Sequence, residues 1–235
     1  MNQLFSFKQF HIAQEKCAMK VGTDGVLLGA WVNTLNDKED ILDIGCGTGL
    51  IGLMLAQRSP LAEITGIEID LQAAVQAKEN VALSKFNKQI KIVHSSYQAF
   101  ASENKFDLIV TNPPFYEPNA RMGSSTRKKA RHTTELTFTE LLKTSFILLK
   151  ENGKFNAIIP YSREEEFKEI ATSIGYCESR ITRVRGRENT PIKRSLIELR
   201  KEKCPLKKDE LTIEIERHQY TEKYINLVSA FYLKM

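Results

Sequence analysis

The segment Ile41-Leu42-Asp43-Ile44-Gly45-Cys46-Gly47-Thr48-Gly49 narrows the choice of fold more than any other part of this chain. An apolar strand runs into a turn with glycine at every second position, then into an apolar helix over 50–58. Alternating glycines let a backbone turn tightly and approach a ligand closely. The helix N-terminus that follows adds free N–H groups and the positive end of a dipole. The same alternation continues along the chain. Strands are expected near 40–45, 62–68, 90–94, 106–111, 153–160, 176–185 and 194–201. Helices are expected near 24–33, 50–58, 71–84, 135–150 and 163–174, with Asn152-Gly153 as a helix-to-strand break. This order predicts an α/β fold with a mostly parallel sheet covered by helices on both faces. A strand over 211–216 and an amphipathic helix over 222–232 close the chain. The 235 residues, 42% of them hydrophobic, suffice for one large domain. Its parts are a lead segment 1–35, a core 36–201 and a C-terminal piece 202–235.

Two ligand classes fit such a turn. Gly47-x-Gly49-x-x-Gly52, with Glu68 and Asp70 downstream, matches the dinucleotide fingerprint, which asks for an acid about 20 residues on. S-adenosylmethionine fits the same glycines. Asp43 favours the second, because its carboxylate repels a pyrophosphate and attracts a methionine ammonium group. Glu68, at the tip of the next strand, is placed to accept both ribose hydroxyls of either cofactor. Asp70 reads as the cap of the helix over 71–83. Thr23 or Asp24 reads either as a helix cap or as a wall at the methionine end of a cofactor pocket.

The apolar run 106–110 leads to Asn112-Pro113-Pro114-Phe115. Two prolines forbid both helix and continued sheet, so they fix a rigid loop where the strand ends. Open α/β sheets keep their active sites at that end. The loop suits alkylation of a planar exocyclic nitrogen. The Asn112 side-chain oxygen and the Pro113 carbonyl both accept N–H bonds from such an amine, turning its lone pair toward an electrophile. Phe115 offers a flat face for stacking. A hydride-transfer enzyme has no use for this loop.

A formal charge of +5 suggests a polyanionic partner without proving one. Two basic stretches are candidates. One holds Arg121, Arg127, Lys128, Lys129 and Arg131, directly after the reactive loop, where it could grip phosphates around a flipped base. The other holds Arg183, Arg185 and Arg187 on one face of a strand, as a phosphate strip or as a charged sheet edge. Cys17, Cys46, Cys177 and Cys204 show neither a C-x-x-C pair nor metal-ligand spacing, and no metal is expected. No signal peptide or membrane span is read, so a reducing cytosol is the expected location.

Phe5-x-Phe7-Lys8-Gln9-Phe10, Cys17-Ala18-Met19-Lys20-Val21-Gly22-Thr23-Asp24-Gly25, the glycine turn and Asn112-Pro113-Pro114-Phe115 together resemble the tRNA1(Val) adenine-37 N6-methyltransferase family. The resemblance runs from the N-terminus to Phe231-Tyr232-Leu233. Glycine turn and reactive loop are shared by many methyltransferases; the N-terminal segment points to this family. The resemblance implies a Rossmann-like class I methyltransferase with a seven-stranded sheet, S-adenosylmethionine as donor, and the adenine 3′ of a tRNA anticodon as target. It assigns Asp43, Gly45, Gly47 and Gly49 to the methionine part, Glu68 to the ribose, Asn112 and Pro113 to the target amine and Phe115 to the base. Related enzymes often place an Asp after the third strand to bond the cofactor adenine. Here Ser96, in His94-Ser95-Ser96-Tyr97, offers a weaker neutral acceptor.

Rival readings are a glutamine N5-methyltransferase, a ribosomal RNA guanine N2-methyltransferase, a non-catalytic RNA-binding protein and a nicotinamide oxidoreductase. The first usually carries a helical domain before the catalytic one, and about 35 residues are too few for a domain.

Overall fold

The structure, a computed structural model, describes residues 4–34, 38–114 and 137–235. In chain order its elements are β1 (Leu4–Ser6), β2 (His11–Ala13), α1 (Thr23–Trp31), β3 (Asp40–Ile44), α2 (Leu50–Arg58), β4 (Glu63–Glu68), α3 (Leu71–Leu83) and β5 (Ile90–His94). There follow β6 (Phe106–Thr111), α4 (Phe138–Leu148), β7 (Leu149–Pro160), α5 (Glu164–Ile174), β8 (Cys177–Arg185) and β9 (Ile192–Arg200). The chain closes with β10 (Lys207–Thr212), β11 (Glu214–Glu216), β12 (Gln219–Tyr220) and α6 (Glu222–Val228).

The central sheet has eight strands in the order β10-β8-β9-β7-β6-β3-β4-β5. All of its strands run parallel except β9, which is antiparallel to both β7 and β8. The chain winds outward from β3 to β5, then returns to lay β6 on the other side of β3. The strand order therefore reverses between β3 and β6, and the crevice above their carboxyl ends is where open sheets bind ligands. Helices α1, α2 and α3, with the β1–β2 hairpin and α6, cover one face. Helices α4 and α5 cover the other, around Phe138, Leu142, Phe155 and Phe167.

Four details depart from the sequence reading. Seven strands become eight, because Lys207–Thr212 adds parallel to β8 and covers what would be an open edge. The predicted strand over 211–216 is thereby split between β10 and β11, and the last helix stops at Val228. Asn152-Gly153 is not a helix-to-strand break. Helix α4 already ends at Leu148, and the dipeptide lies inside β7, in an irregularity between the pairs Phe106–Leu149 and Leu108–Lys154. A Cβ on Gly153 would stand 2.7 Å from the Leu149 side chain, so the glycine serves close approach within a strand. Finally, the lead segment forms the β1–β2 hairpin, with Phe7 and Phe10 stacked at 4.8 Å and buried against the core.

Candidate active site

Strand register brings the two motifs together. Ile44 of β3 pairs with Thr111 of β6, and the Thr111 hydroxyl donates to the Ile44 carbonyl at 3.0 Å. Gly45 and Asn112 are the next residues on these neighbouring strands, so the glycine turn and the reactive loop leave the sheet side by side. Asn112 is half-buried, Pro113 buried and Pro114 exposed. Phe115 lies outside the described residues, as do Arg121, Arg127, Lys128, Lys129 and Arg131.

Gly45, Gly47 and Gly49 all have left-handed backbone, with φ of 69°, 54° and 82°. Side chains rarely adopt that region, which explains why glycine stands at each. Among the described residues, nothing lies within 4 Å of a Cβ built on Gly45 or Gly47. The turn thus borders open room, as a cradle for a ligand must.

Asp43 sits beneath this turn, 1% exposed. Its Oδ2 accepts the Gly52 N–H at 3.2 Å and so caps α2, whose N-cap Gly49 has no side chain to do so. Its Oδ1 is buried without a partner among the described residues. Burial first, and the nearby Glu68 charge after it, push the Asp43 carboxyl up to about 7, against the Gly52 hydrogen bond that favours ionisation. A buried carboxylate with an empty acceptor and a raised proton affinity fits a cationic ligand group. The same carboxylate at the helix N-terminus disfavours a pyrophosphate, which answers the dinucleotide reading.

Glu68 ends β4 with both oxygens engaged: Oε2 accepts from Gly47 N at 2.9 Å, Oε1 from Asp70 N at 2.9 Å. Each oxygen keeps a second lone pair for a hydroxyl donor. Sequence reasoning missed this fastening of carboxylate to turn. Asp70 caps α3 as expected, accepting from Ala73 N at 2.9 Å. The loop after β5 is tied alongside by Ser95 N donating to the Glu68 carbonyl at 2.9 Å. Ser96 Oγ there accepts the Ala99 N–H at 3.2 Å and keeps a lone pair free.

Thr23 and Asp24 are not the α1 cap. Gly22 is, without a side-chain bond, and Asp24 instead accepts from Arg194 Nε at 2.8 Å. The start of α1 nevertheless approaches the glycine turn, because a Cβ on Gly25 would stand 3.1 Å from Leu50, the first residue of α2. Arg183 and Arg185 are each committed to a carboxylate. Arg183 holds the buried Glu164 at 2.7 Å, and Arg185 pairs with Glu210. Arg187 stands 3.4 Å from Glu214. Strand β8 ends at Arg185, so Arg187 is not on the expected strand face but just beyond it, and the strip as a whole is charge-compensated rather than bare.

The residue that sequence reasoning missed altogether is Asn80. Buried on α3, it accepts from Ala13 N and donates to the carbonyls of Ala13 and Thr48, each at 2.9 Å. It binds the N-terminal hairpin to the glycine turn. Two further amides continue the clasp: Gln76 accepts from Lys16 N at 3.3 Å, and Gln14 from Val21 N at 2.8 Å. Cys17 is held near Glu68 and Asp70 in consequence; burial and those charges push its thiol up to about 11, so it stays protonated and unreactive. No local sequence signal marks this clasp, since its partners are 67 and 32 residues away.

Residues 23–180 match the family described as methyltransferase small domain. A tRNA1(Val) (adenine(37)-N6)-methyltransferase of Christiangramia forsetii is 48% identical over 238 residues, covering 100% of this chain and 99% of that protein. Proteins of the same name from Trichodesmium erythraeum and Bacteroides fragilis are 45% and 44% identical, each covering 98% of both chains. Among solved structures, one described as a predicted O-methyltransferase from Agrobacterium tumefaciens superposes with a TM-score of 0.71 at 19% identity, over 88% of this chain and 96% of that one. A methyltransferase from Pyrococcus furiosus gives 0.52 at 22% identity, over 71% and 77%. These two show the shared fold alone.

Proposed function

The chain belongs to the tRNA1(Val) (adenine(37)-N6)-methyltransferase family, and on that premise we propose how its residues move a methyl group from S-adenosylmethionine to the N6 of a tRNA adenine. The position is adenine 37, beside the anticodon, as in the relatives' name. One domain carries the reaction, and the cytoplasm is where such a substrate is met.

The observation that carries this reading is the register that sets Asn112 beside the glycine turn, over an Asp43 with one empty buried oxygen. S-adenosylmethionine supplies the electrophilic methyl group. Asp43 Oδ1 holds the methionine ammonium, directly or through a water. Gly45, Gly47 and Gly49 leave room for the methionine part, Glu68 accepts from the ribose hydroxyls and Ser96 from the cofactor adenine amine. Thr23 closes the methionine end.

An anticodon loop is single-stranded, so turning one base out costs less than in a duplex. Asn112 Oδ1 and the Pro113 carbonyl accept the two N6 hydrogens of that adenine, which directs the nitrogen lone pair along the line of attack. Phe115 stacks on the ring. No strong base is required, because the N6 proton becomes acidic only once the nitrogen has taken the methyl group, and it then passes to solvent. Catalysis is chiefly positioning, plus acceptors aimed at a growing positive charge. Arg121, Arg127, Lys128, Lys129 and Arg131 grip the backbone around the base. Arg183 and Arg185 contribute only what their carboxylate partners leave over.

The test is transfer of radiolabelled methyl to tRNA, followed by nucleoside analysis. Wild type yields N6-methyladenosine. Asn112→Ala lowers turnover at least about a hundredfold, the scale of losing one preorganised polar partner, with cofactor affinity near normal. Label in ribosomal RNA or protein but not in tRNA would overturn the substrate; full turnover in Asn112→Ala would overturn the role of the loop.

A further inference from the structure

A second recess opens on the same rim of the sheet. Leu27 of α1, Val184 of β8 and Ile213 after β10 line its base, and Asp24 stands with Arg185, Lys193 and Arg194 around an open mouth; its volume is about 330 Å³. Leu27 and Val184 are buried, and Ile213 packs half-buried against the core. This volume is near the lower end for small-ligand pockets, room for one flat ring and little more.

Its place follows from register. Arg194 pairs with Pro160 at the carboxyl end of β7, and with Val184 of β8. Strand β7 neighbours β6, which ends at Thr111, next to Asn112. The recess thus begins two strands from the reactive loop, a separation of about 10 Å.

Its charges are not equivalent. Arg194 donates to Asp24 at 2.8 Å, and Arg185 pairs with Glu210. Both cations are already compensated. Lys193 is exposed and, among the described residues, has no carboxylate partner. The recess therefore combines an apolar floor with one uncompensated ammonium at its mouth. A lone phosphate has no use for that floor, and an apolar ligand has none for the ammonium. A nucleotide uses both, laying a base face on the floor and its phosphate against the lysine.

We propose that this recess takes one nucleotide flanking the reacting adenosine, with its base against Ile213, above the buried Leu27 and Val184, and its phosphate on Lys193. The inference rests on the tRNA reading above and adds to it a determinant of loop sequence beside the cofactor's methionine end, with which the recess shares Thr23. Loop nucleotides are open to such capture because their bases are unstacked.

The experiment measures binding of a fluorescent anticodon stem-loop by anisotropy over a range of salt, beside methylation of the same RNA. The proteins are wild type, Lys193→Ala and, as control, Lys91→Ala. Lys91 is exposed near the amino end of β5, on the opposite rim. Lys193→Ala is expected to weaken binding about five- to tenfold at low salt and to flatten the log–log salt slope by about 0.7, the value for one phosphate contact on a single strand. Turnover at saturating RNA and affinity for S-adenosylmethionine stay unchanged. Stem-loops abasic at single positions near the adenosine complete the test. One of them binds wild type about tenfold more weakly than the parent RNA, the scale of losing one small apolar contact, and Lys193→Ala by a smaller factor. A wild-type protein that methylates the stem-loop, while Lys193→Ala behaves like Lys91→Ala or no abasic position matters, overturns the recess and leaves the function standing. A wild-type protein that neither binds nor methylates the RNA overturns the function, and the recess with it.

Discussion

Replacing Asp43 by asparagine separates stability from cofactor binding, and the structure sets the size of both effects. The Asp43 carboxyl is fully buried, with one oxygen on Gly52 and the other unpartnered among the described residues. Burial raises its pKa from the usual 3.8 to about 7. In the unfolded chain it ionises near the lower value and in the folded chain near the higher. Between them, folding takes up a proton, so this group's contribution to stability falls as pH rises and is fully lost above about pH 7. Each tenfold in proton affinity is worth about 1.4 kcal/mol, which puts the ceiling near 4 kcal/mol, of which about 3 kcal/mol develops between pH 5 and 8. The asparagine side chain would keep an acceptor for the Gly52 N–H and carry no charge. For a chain of this size 1 kcal/mol moves Tm by about 2–4 °C, so the Tm advantage of Asp43→Asn over wild type should grow by roughly 5–10 °C from pH 5 to pH 8. Scanning calorimetry without ligand measures this. Titration calorimetry at pH 8 should show S-adenosylmethionine bound at least about tenfold more weakly, because the ammonium loses its buried counter-charge. A Tm difference that stays constant with pH, or an unchanged cofactor affinity, would refute the reasoning.

Two further substitutions probe the cradle. Gly47→Ala puts a methyl at φ 54° with no described atom within 4 Å, so the cost is conformational, about 1–2 kcal/mol by urea denaturation. Its methyl projects into the room left for the cofactor, and Kd for S-adenosylmethionine should rise at least about tenfold; unchanged affinity would mean that the turn is not the cradle. Asn80→Ala strips partners from Ala13 and Thr48, which should cost about 2–4 kcal/mol in urea denaturation. It should also raise KM for S-adenosylmethionine while kcat is kept. Lost stability with unchanged KM would confine Asn80 to folding.

What could be read along the chain were features whose cause is local. The strand ends at 44 and 111 are set by glycines and prolines within five residues, and helix α2 follows its turn without a gap. Asp70 caps α3 across three residues. A local signal also went unused: Thr137-x-x-Glu140 is a capping box that fixes the start of α4 at Phe138, three residues after the expected onset. The strip Arg183, Arg185 and Arg187 read equally as a nucleic-acid surface or a charged edge, because its partners Glu164, Glu210 and Glu214 come from other segments.

The sequence by itself determined the chemistry available: a strand running into three glycines, an acid at each neighbouring strand tip, and an amide held rigid by two prolines. Tertiary structure alone decided how these act on one another. Register between β3 and β6 set the amide beside the glycine turn. Burial left Asp43 with one oxygen on Gly52 and the other without a partner among the described residues. Asn80 tied the N-terminal hairpin to the turn, and β10 added an eighth strand beside β8. The reason is physical. Turns, caps and breaks are settled by backbone sterics over a few residues. Desolvation, ion pairing and strand order depend on segments that meet only when the core forms.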